Sequence, residues 1–234
     1  MARAVYFDCR EKLMTSDRPE TNTSILAPRL PKQTAHDALP VVGIEDGGSY
    51  DSLTVTDHDL TAQSAKQLSF EQTRFTRVTF HSTDWVNLFL GDVRFENCSF
   101  VNARWRAPLL QRVEFVNCRL TGFSTPEGRF RHVLFSGCTG QLANFRFSTF
   151  KQARFQACII NEADFGSADL SGVVFRDCDL RATEMSGAKL KGADLRGSKL
   201  DGMHAGPAEL AGSIVDMGQA LELASAMGLD VRYD

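Results

Sequence analysis

Large apolar residues recur at every fifth position over most of this chain. From Leu60 to Val215 there are 32 such positions, and 28 of them carry a large apolar side chain. A longer period lies on top of this one, because five cysteines stand twenty residues apart, each three residues after a phenylalanine. These cysteines are Cys98, Cys118, Cys138, Cys158 and Cys178. A repeat of fixed length constrains the fold more strongly than any single motif does.

A period of five matches neither a helix, which repeats near 3.6 residues, nor a strand, which repeats near 2.0. It fits a chain that alternates a short extended segment with a corner, so that four corners close a square and twenty residues make one coil. We expect the coils to stack about 4.8 Å apart. The large residue of each pentad and the small residue two before it then point inward. Glycines two positions after the large residue, such as Gly172 and Gly187, predict corners with positive φ.

The runs ADFGSADLSG and GAKLKGADLRGSKLDG resemble the A(D/N)Lxx signature of pentapeptide repeat proteins. The resemblance covers about two thirds of the chain. It implies the fold of that family, an all-β, right-handed quadrilateral parallel β-helix. The first half of the repeat departs from the commonest form, since Phe and Cys or Val replace Leu and Ala.

Three segments are expected. Residues 1–48 hold four of the seven prolines and form an extended, mostly irregular N-terminal arm. Residues 49–215 form the β-helix, in which the stretch GFSTPEGR at 122–129 predicts one reshaped corner. Residues 216–234 form a capping helix and tail, because a solenoid needs a terminal cap and Asp216 can begin a helix. We expect this helix to pack on the last coil through Leu221, Leu223 and Met227. Dimerisation through the same end is the alternative, so the chain is expected to be a monomer or a C-terminal homodimer.

The composition predicts a cytoplasmic protein that does not enter a membrane. The net charge is −3, and no run of 18 apolar residues occurs, so no membrane span is expected. The start MARAVYFDCREKLM lacks the apolar centre of a signal peptide. We interpret the five regularly spaced cysteines as reduced, buried fillers of the interior.

The residues that carry chemistry do not gather into a site. The histidines fall in unrelated positions of the repeat, so no nucleophile, base and orienting group can be assembled from them. Parallel thiols stacked in a ladder do not converge on one metal ion. The sequence therefore predicts a protein that is not an enzyme, with no catalytic, cofactor or metal site.

Two surface features suggest contact with something else. Four basic residues fall on neighbouring columns of one face and form a candidate interaction surface: Arg112, Arg129, Arg131 and Lys151. Phe89 and Leu109 lie outside the inward positions and twenty residues apart. Adjacent exposed apolar residues usually cover or bind something. We expect the N-terminal arm to dock there through Ile25, Leu26 and Leu30.

The leading functional hypothesis is a non-catalytic solenoid that acts as a protein-binding scaffold or regulator, with a partner that the sequence does not name. The alternative follows from the family resemblance: some pentapeptide repeat proteins mimic duplex DNA and inhibit or protect DNA gyrase, a type II topoisomerase. Such mimicry needs a strongly negative rod, whereas residues 60–215 carry 19 basic and 15 acidic residues. Only residues 157–215 have the negative balance that mimicry requires, with nine acidic against six basic residues. Nucleic acid binding is not expected, because it favours a longer basic stripe interleaved with exposed aromatics.

Overall fold

The computed structural model describes residues 24–32, 35–36 and 44–232. In this part of the chain the structure is a stack of short strands followed by two helices. The strands are β1 (Ala35–His36), β2 (Ser49–Asp51), β3 (Leu53–Thr56), β4 (Ser64–Lys66), β5 (Ser69–Glu71), β6 (Arg74–Thr76), β7 (Asp84–Val86), β8 (Phe89–Glu96), β9 (Arg104–Arg106), β10 (Leu109–Val116), β11 (Arg129–Ser136), β12 (Thr149–Gln156) and β13 (Val174–Arg176). The helices are α1 (Pro207–Leu210) and α2 (Met217–Ala226). The division of the chain at residues 48/49 and 215/216 stays a prediction.

From β2 onward, every strand pairs in parallel with the strand one coil away. Leu90 of β8 pairs with Leu110 of β10, which pairs with Phe130 of β11, so the register advances by the predicted twenty residues. Where strands are too short to be assigned, single bridges continue the ladder. One such column contains Asp59, Thr79, Ser99, Arg119, Thr139, Ile159, Asp179 and Lys199. The expected fold class is confirmed: the molecule is a mostly-β parallel solenoid with a short C-terminal helix.

The corners are left-handed, as the glycine pattern predicted, but most of them are not glycine. Every fifth residue from Gly47 to Gly202 has a positive φ, and the non-glycine ones have φ between 48° and 59°. An L-residue in this conformation costs roughly 1–2 kcal/mol. At most corners a hydrogen bond between coils offsets this cost; for example, the N–H of Asn97 donates to the carbonyl of Val116 at 3.0 Å. The stacking of coils therefore enforces a conformation that the local sequence does not favour.

Stacked aromatic rings fill the interior. In the column that contains Phe155, its ring centroid lies 4.5 Å from that of Phe135 and 5.0 Å from that of Phe175, with the planes within 10° of parallel. Rings from the other sides of the square meet this column edge-on, as Phe165 does at 89°. Both arrangements are favourable for aromatic pairs. The tube therefore has a packed core rather than a channel.

The prediction of a reshaped corner at 122–129 was wrong. The corner residue Glu127 has the usual φ of 59°, and its N–H donates to Arg146 in the next coil. The irregularity lies in the side chains, because Phe123 occupies the small inward position while Thr125 occupies the large one. The buried Phe123 ring packs 5.0 Å from Trp105. A large and a small residue have exchanged places, which keeps the core volume and leaves the backbone unchanged.

The cysteine column is buried. All five thiols are free, and each residue is at most 2% exposed. Each thiol donates to a backbone carbonyl, as Cys138 does to Phe115 at 3.4 Å. Burial raises the pKa of the Cys118 thiol far above its usual range, so this sulfur stays protonated and unreactive at neutral pH.

Cys138→Ala is expected to lower the free energy of unfolding by about 1 kcal/mol, because it removes a buried sulfur and leaves a small cavity. A urea denaturation curve measures this change. In native wild-type protein the five column thiols should resist a thiol-labelling reagent until the chain unfolds. Rapid stoichiometric labelling of all five in the native state would contradict an interior column.

The C-terminal end of the tube is closed by helices. The turn α1 replaces the corner at position 207, and α2 begins at the N-cap Asp216. The residue of α2 that is buried is Gln219, which the sequence did not single out. Its Nε2 donates to the carbonyls of Leu195 and Ser198, both at 2.7 Å. The Ser198 carbonyl has no following coil to pair with, whereas the Leu195 carbonyl also accepts the N–H of Ser198 at 3.1 Å.

The apolar contacts of α2 differ in part from those predicted. Leu221 and Leu223 are half-buried, and Leu223 packs on the core. The expected burial of Met227 was wrong, since this residue is 44% exposed. The helix is anchored by its first turn and ends at Ala226, so burial decreases from Gln219 towards Met227.

Candidate interaction surface

The N-terminal arm crosses the coils of the tube. Residues 24–32 contain no strand. The N–H of Leu26 donates to Nδ1 of His132 at 3.4 Å, and the N–H of Arg29 donates to Oδ1 of Asp92 at 2.8 Å. His132 and Asp92 lie in one column two coils apart, about 10 Å. Three extended residues span the same distance, so the arm runs along the tube axis towards its N-terminal end.

Asp92 joins the arm to the tube. It accepts two hydrogen bonds from Arg112, both at 2.6 Å, and the side chains of this pair are only 11% and 18% exposed. Burial raises the pKa of Asp92, but hydrogen bonds from Arg112 and from the N–H of Arg29 outweigh it and hold the pKa below its usual range. Arg112 is therefore neutralised beneath the arm. The sequence had placed Arg112 on an open basic face.

Asp92→Asn is expected to lower the free energy of unfolding by about 2–3 kcal/mol, because it leaves the largely buried Arg112 without its counter-charge. The folded-state pKa of Asp92 is depressed. Its contribution is therefore fully present above the unfolded pKa, near 4, and is lost as the pH falls through the folded pKa. Denaturation curves at pH 7 and pH 3 measure the difference between the wild type and the variant, which should shrink at the lower pH.

The matched control is Asp57→Asn. Asp57 holds Arg77 with the same two-bond geometry across one coil, but both side chains are more than half exposed. Exposed ion pairs contribute less than about 1 kcal/mol. The arm should also become more sensitive to trypsin at Arg29 in Asp92→Asn and not in Asp57→Asn. Equal effects of the two substitutions would show that Asp92 does not hold the arm.

The other three predicted basic residues lie together on β11 and β12. Arg131 pairs in register with Lys151, and Arg129 with Thr149. Arg129 and Lys151 are exposed, and Arg131 is half-buried. None of the three basic residues forms an ion pair with another residue in the described ranges. The surface that they form, which we call the basic patch, carries uncompensated positive charge.

Phe89 and Leu109 pair in register on β8 and β10, and both are half-buried. The Phe89 ring covers Gly91 so closely that a Cβ there would lie 3.1 Å from two ring carbons. The arm encloses a shallow cavity of about 380 Å³ against the neighbouring face, lined by Ala27, Pro28, Leu30, Arg74, Arg94 and Glu114. Coverage of Phe89 and Leu109 by the arm stays a prediction.

Two exposed apolar corner residues were missed by sequence reasoning. Leu142 and Phe147 are 57% and 55% exposed, and both have a φ of 58°. The guanidinium of Arg146 lies 5.2 Å from the Phe147 ring centroid and also reaches Asp164 at 3.2 Å. Because corner residues stand two positions after each large inward residue, the register of the repeat could have identified both.

Neither a metal-binding cluster nor a long apolar helix occurs in the described ranges. There, His, Cys, Asp and Glu form no group of three able to hold a metal ion. None of the helices in residues 44–232 is long and apolar enough to cross a membrane. A second shallow cavity, of about 440 Å³, is lined by Ser82, Thr83, Asp84, Asn102, Arg104 and Gly122. These residues offer no histidine or cysteine to activate a nucleophile.

The stacked twenty-residue coils, the left-handed corners and the filled interior define a parallel β-solenoid built from five-residue repeats. Residues 89–165 and 142–205 match the profile of the family described as "Pentapeptide repeat region", and together they span half of the chain. The chain belongs to the pentapeptide repeat family, as its sequence indicated.

Solved structures of similar fold include two proteins whose roles are described. One is QnrB1, a plasmid-mediated fluoroquinolone resistance protein, at 16% identity and a TM-score of 0.38, covering 80% of this chain and 100% of that one. The other is HetL, a pentapeptide repeat protein involved in heterocyst differentiation regulation, from the cyanobacterium Nostoc sp. strain PCC 7120. HetL has 18% identity and a TM-score of 0.33, covering 74% of this chain and 88% of that one. A search of curated proteins finds no match to the chain.

Proposed function

We propose that this protein is a non-catalytic scaffold or regulator that binds a protein partner through the outer faces of its solenoid. The observation that carries the proposal is the filled interior, where aromatic residues of the central columns are 0–1% exposed. Catalysis requires converging groups in a concave site, and stacked coils present flat or convex faces. The same packing makes the rod rigid, so that surface groups keep fixed spacings, as recognition of a folded partner requires.

DNA mimicry of the kind that inhibits or protects DNA gyrase, a type II topoisomerase, is the weaker alternative. Its support is the excess of nine acids over six bases in residues 157–215. Several of these carboxylates are neutralised by adjacent basic side chains. The pairs are Asp164 with Arg146, Asp179 with Arg181, and Asp194 with Arg176 and Arg196. Local pairing of this kind reduces the negative potential that a DNA-like face requires.

The test is affinity capture on the immobilised full chain, with bound proteins identified by mass spectrometry and rebound as purified components. A partner that rebinds stoichiometrically supports the scaffold. In parallel, purified DNA gyrase is assayed for supercoiling with and without an inhibitor in the presence of the chain. Protection or inhibition of gyrase at a stoichiometric ratio of the two proteins would favour the DNA-mimicry hypothesis over the scaffold hypothesis. Failure to capture any protein, together with no effect on gyrase, would reject both.

We further propose that the C-terminal end, besides capping the tube, forms a homodimer. Apolar residues are exposed around α2: Ile214 (44%), Met217 (78%), Met227 (44%) and Leu229 (62%).

The five buried free thiols support a reducing compartment, and we propose that the protein is cytoplasmic.

Met217→Asp is expected to convert a dimer into a monomer, and because Met217 makes little contact within the chain, the variant should melt at the temperature of the dissociated wild-type monomer. Leu221→Asp, at a half-buried position, should lower the melting temperature as well. Light scattering combined with a melting curve measures both variants. A wild-type chain that is monomeric at micromolar concentration would leave α2 with the capping role alone.

A further inference from the structure

We propose that the basic patch and the adjacent Phe147 form a docking site for an acidic segment of a partner protein. In this site Phe147 is the apolar anchor, and Arg129, Arg131 and Lys151 contact carboxylates. The inference rests on the proposed scaffold function and specifies the chemistry of its partner.

The anchor is out of place in the repeat. Phe147 occupies a corner column whose other members with positive φ are small or polar: Gly47, Gln67, Asn87, Ala107, Glu127, Ser167 and Gly187. Positive φ is common to every corner, so what distinguishes Phe147 is a large aromatic side chain at an exposed corner. Exposure of more than half of the ring adds a hydration cost that burial against a partner removes. Arg146 lies over the ring, which restrains it and lowers the entropy lost on binding.

The basic patch adjoins this anchor directly. Phe147 stands two residues before Thr149, which pairs in register with Arg129. Arg131 and Lys151 lie side by side on the same face, about 4.8 Å apart. One coil away the comparable cation Arg112 is fully engaged by Asp92, whereas the three patch cations have no acidic partner in the described ranges. These unpaired cations are complementary to carboxylates of an acidic segment, and the exposed Phe147 ring beside them is complementary to an apolar side chain of that segment.

The size of the patch favours a protein segment over a nucleic acid. The cations occupy two adjacent coils, and in the Arg129 column the next bridged residue is the acid Asp169. A phosphate backbone would need the basic stripe to continue along the rod. Phe147 is also the one aromatic side chain that is exposed in the described ranges. Stacking of successive bases uses several such rings, whereas a protein interface depends on a few aromatic and arginine residues.

The test uses the full chain and a fluorescent peptide of glutamates around a single leucine, with binding followed by anisotropy at low salt. We expect saturable binding that weakens with added salt. Phe147→Asn, which places a residue tolerant of positive φ at the corner, should weaken binding about tenfold. The double variant Arg131→Gln/Lys151→Gln should weaken it by a similar factor and flatten its salt dependence. A peptide with serine in place of leucine should lose the dependence on Phe147.

The chain supplies matched controls. Leu142 has the same φ and nearly the same exposure as Phe147, but lies one corner away from the patch. Arg119 is exposed on another side of the coil. Leu142→Asn and Arg119→Gln should change the affinity less than about twofold. Melting curves should show that each variant remains folded, and a loss of binding equal to that of Phe147→Asn in either control would overturn the site.

Other occupants give distinct results, each of which overturns the proposal. Equal or tighter binding of single-stranded DNA with the same dependence on Phe147 would indicate a nucleic acid. A wild-type dimer that Phe147→Asn dissociates would indicate a second copy of the chain. Peptide binding that requires removal of residues 1–23 would indicate the chain's own N-terminal segment. A captured partner whose binding is insensitive to Phe147→Asn would leave the scaffold function in place and refute this site alone.

Discussion

Replacing Phe155 by alanine is expected to lower the free energy of unfolding by about 3–5 kcal/mol. Phe155 is 1% exposed and contacts rings above, below and beside it. Stacked coils leave the neighbouring rings little freedom to collapse into the space, because each is held by its own coil. Urea denaturation followed by far-ultraviolet circular dichroism measures the loss.

The matched control is the next residue, Gln156, which is exposed at the end of the same strand. Gln156→Ala should change the free energy of unfolding by less than about 0.5 kcal/mol. The contrast between two adjacent residues tests the register directly. Similar losses at both positions would show that the inward and outward columns are misassigned.

Removal of residues 216–234 is expected to make the protein associate or aggregate. The deletion removes Gln219, which satisfies the carbonyls of Leu195 and Ser198, and Asp216, which accepts the N–H of Gly197 at 3.1 Å. The last coil would then expose unpaired backbone groups and the apolar side chains beneath α2. An open parallel edge pairs with other edges. Light scattering of the truncated chain at several concentrations measures the association.

A single substitution separates the polar cap from the apolar cover. Gln219→Ala should lower the free energy of unfolding by about 1–3 kcal/mol, because the Ser198 carbonyl loses its buried donor while the Leu195 carbonyl keeps the N–H of Ser198. The exposed Glu222 of the same helix provides the control, and Glu222→Ala should have little effect. A truncated chain that stays monomeric with an unchanged melting temperature would show that the tail does not cap the tube.

The fold and the core followed from the sequence because both depend on periodicity. An inward position needs a large apolar residue wherever it falls, so spacing alone identified Phe155 and the cysteine column. Corners were harder to recognise, because hydrogen bonds between coils impose positive φ on residues such as Asn97. These residues adopt positive φ less readily than glycine does. The exchange of Phe123 and Thr125 could not be read from the repeat pattern for a related reason. The total volume of the inward side chains is conserved across a coil, but the volume at each position is not.

The interaction surface was predicted only in part. The four predicted basic residues lie between residues 112 and 151, and Asp92 lies one coil earlier, where it neutralises Arg112. Partners twenty residues apart in sequence are neighbours in space, so a charge count must extend one coil beyond each end of a patch. The position of the arm depends on two backbone N–H groups that meet side chains 63 and 106 residues away. Periodicity contains no information about such contacts.

The arm also constrains the length of the tube. Its two anchoring hydrogen bonds are three residues apart in the arm and two coils apart in the solenoid. The lengths agree because three extended residues and two coil spacings each span about 10 Å. Adding or deleting a twenty-residue coil between Asp92 and His132 would preserve every face of the rod and change its length by about 4.8 Å. The arm could then reach one anchor but not both. Repeat number, which is otherwise free to vary in a solenoid, is thus tied to the length of a segment outside the repeat.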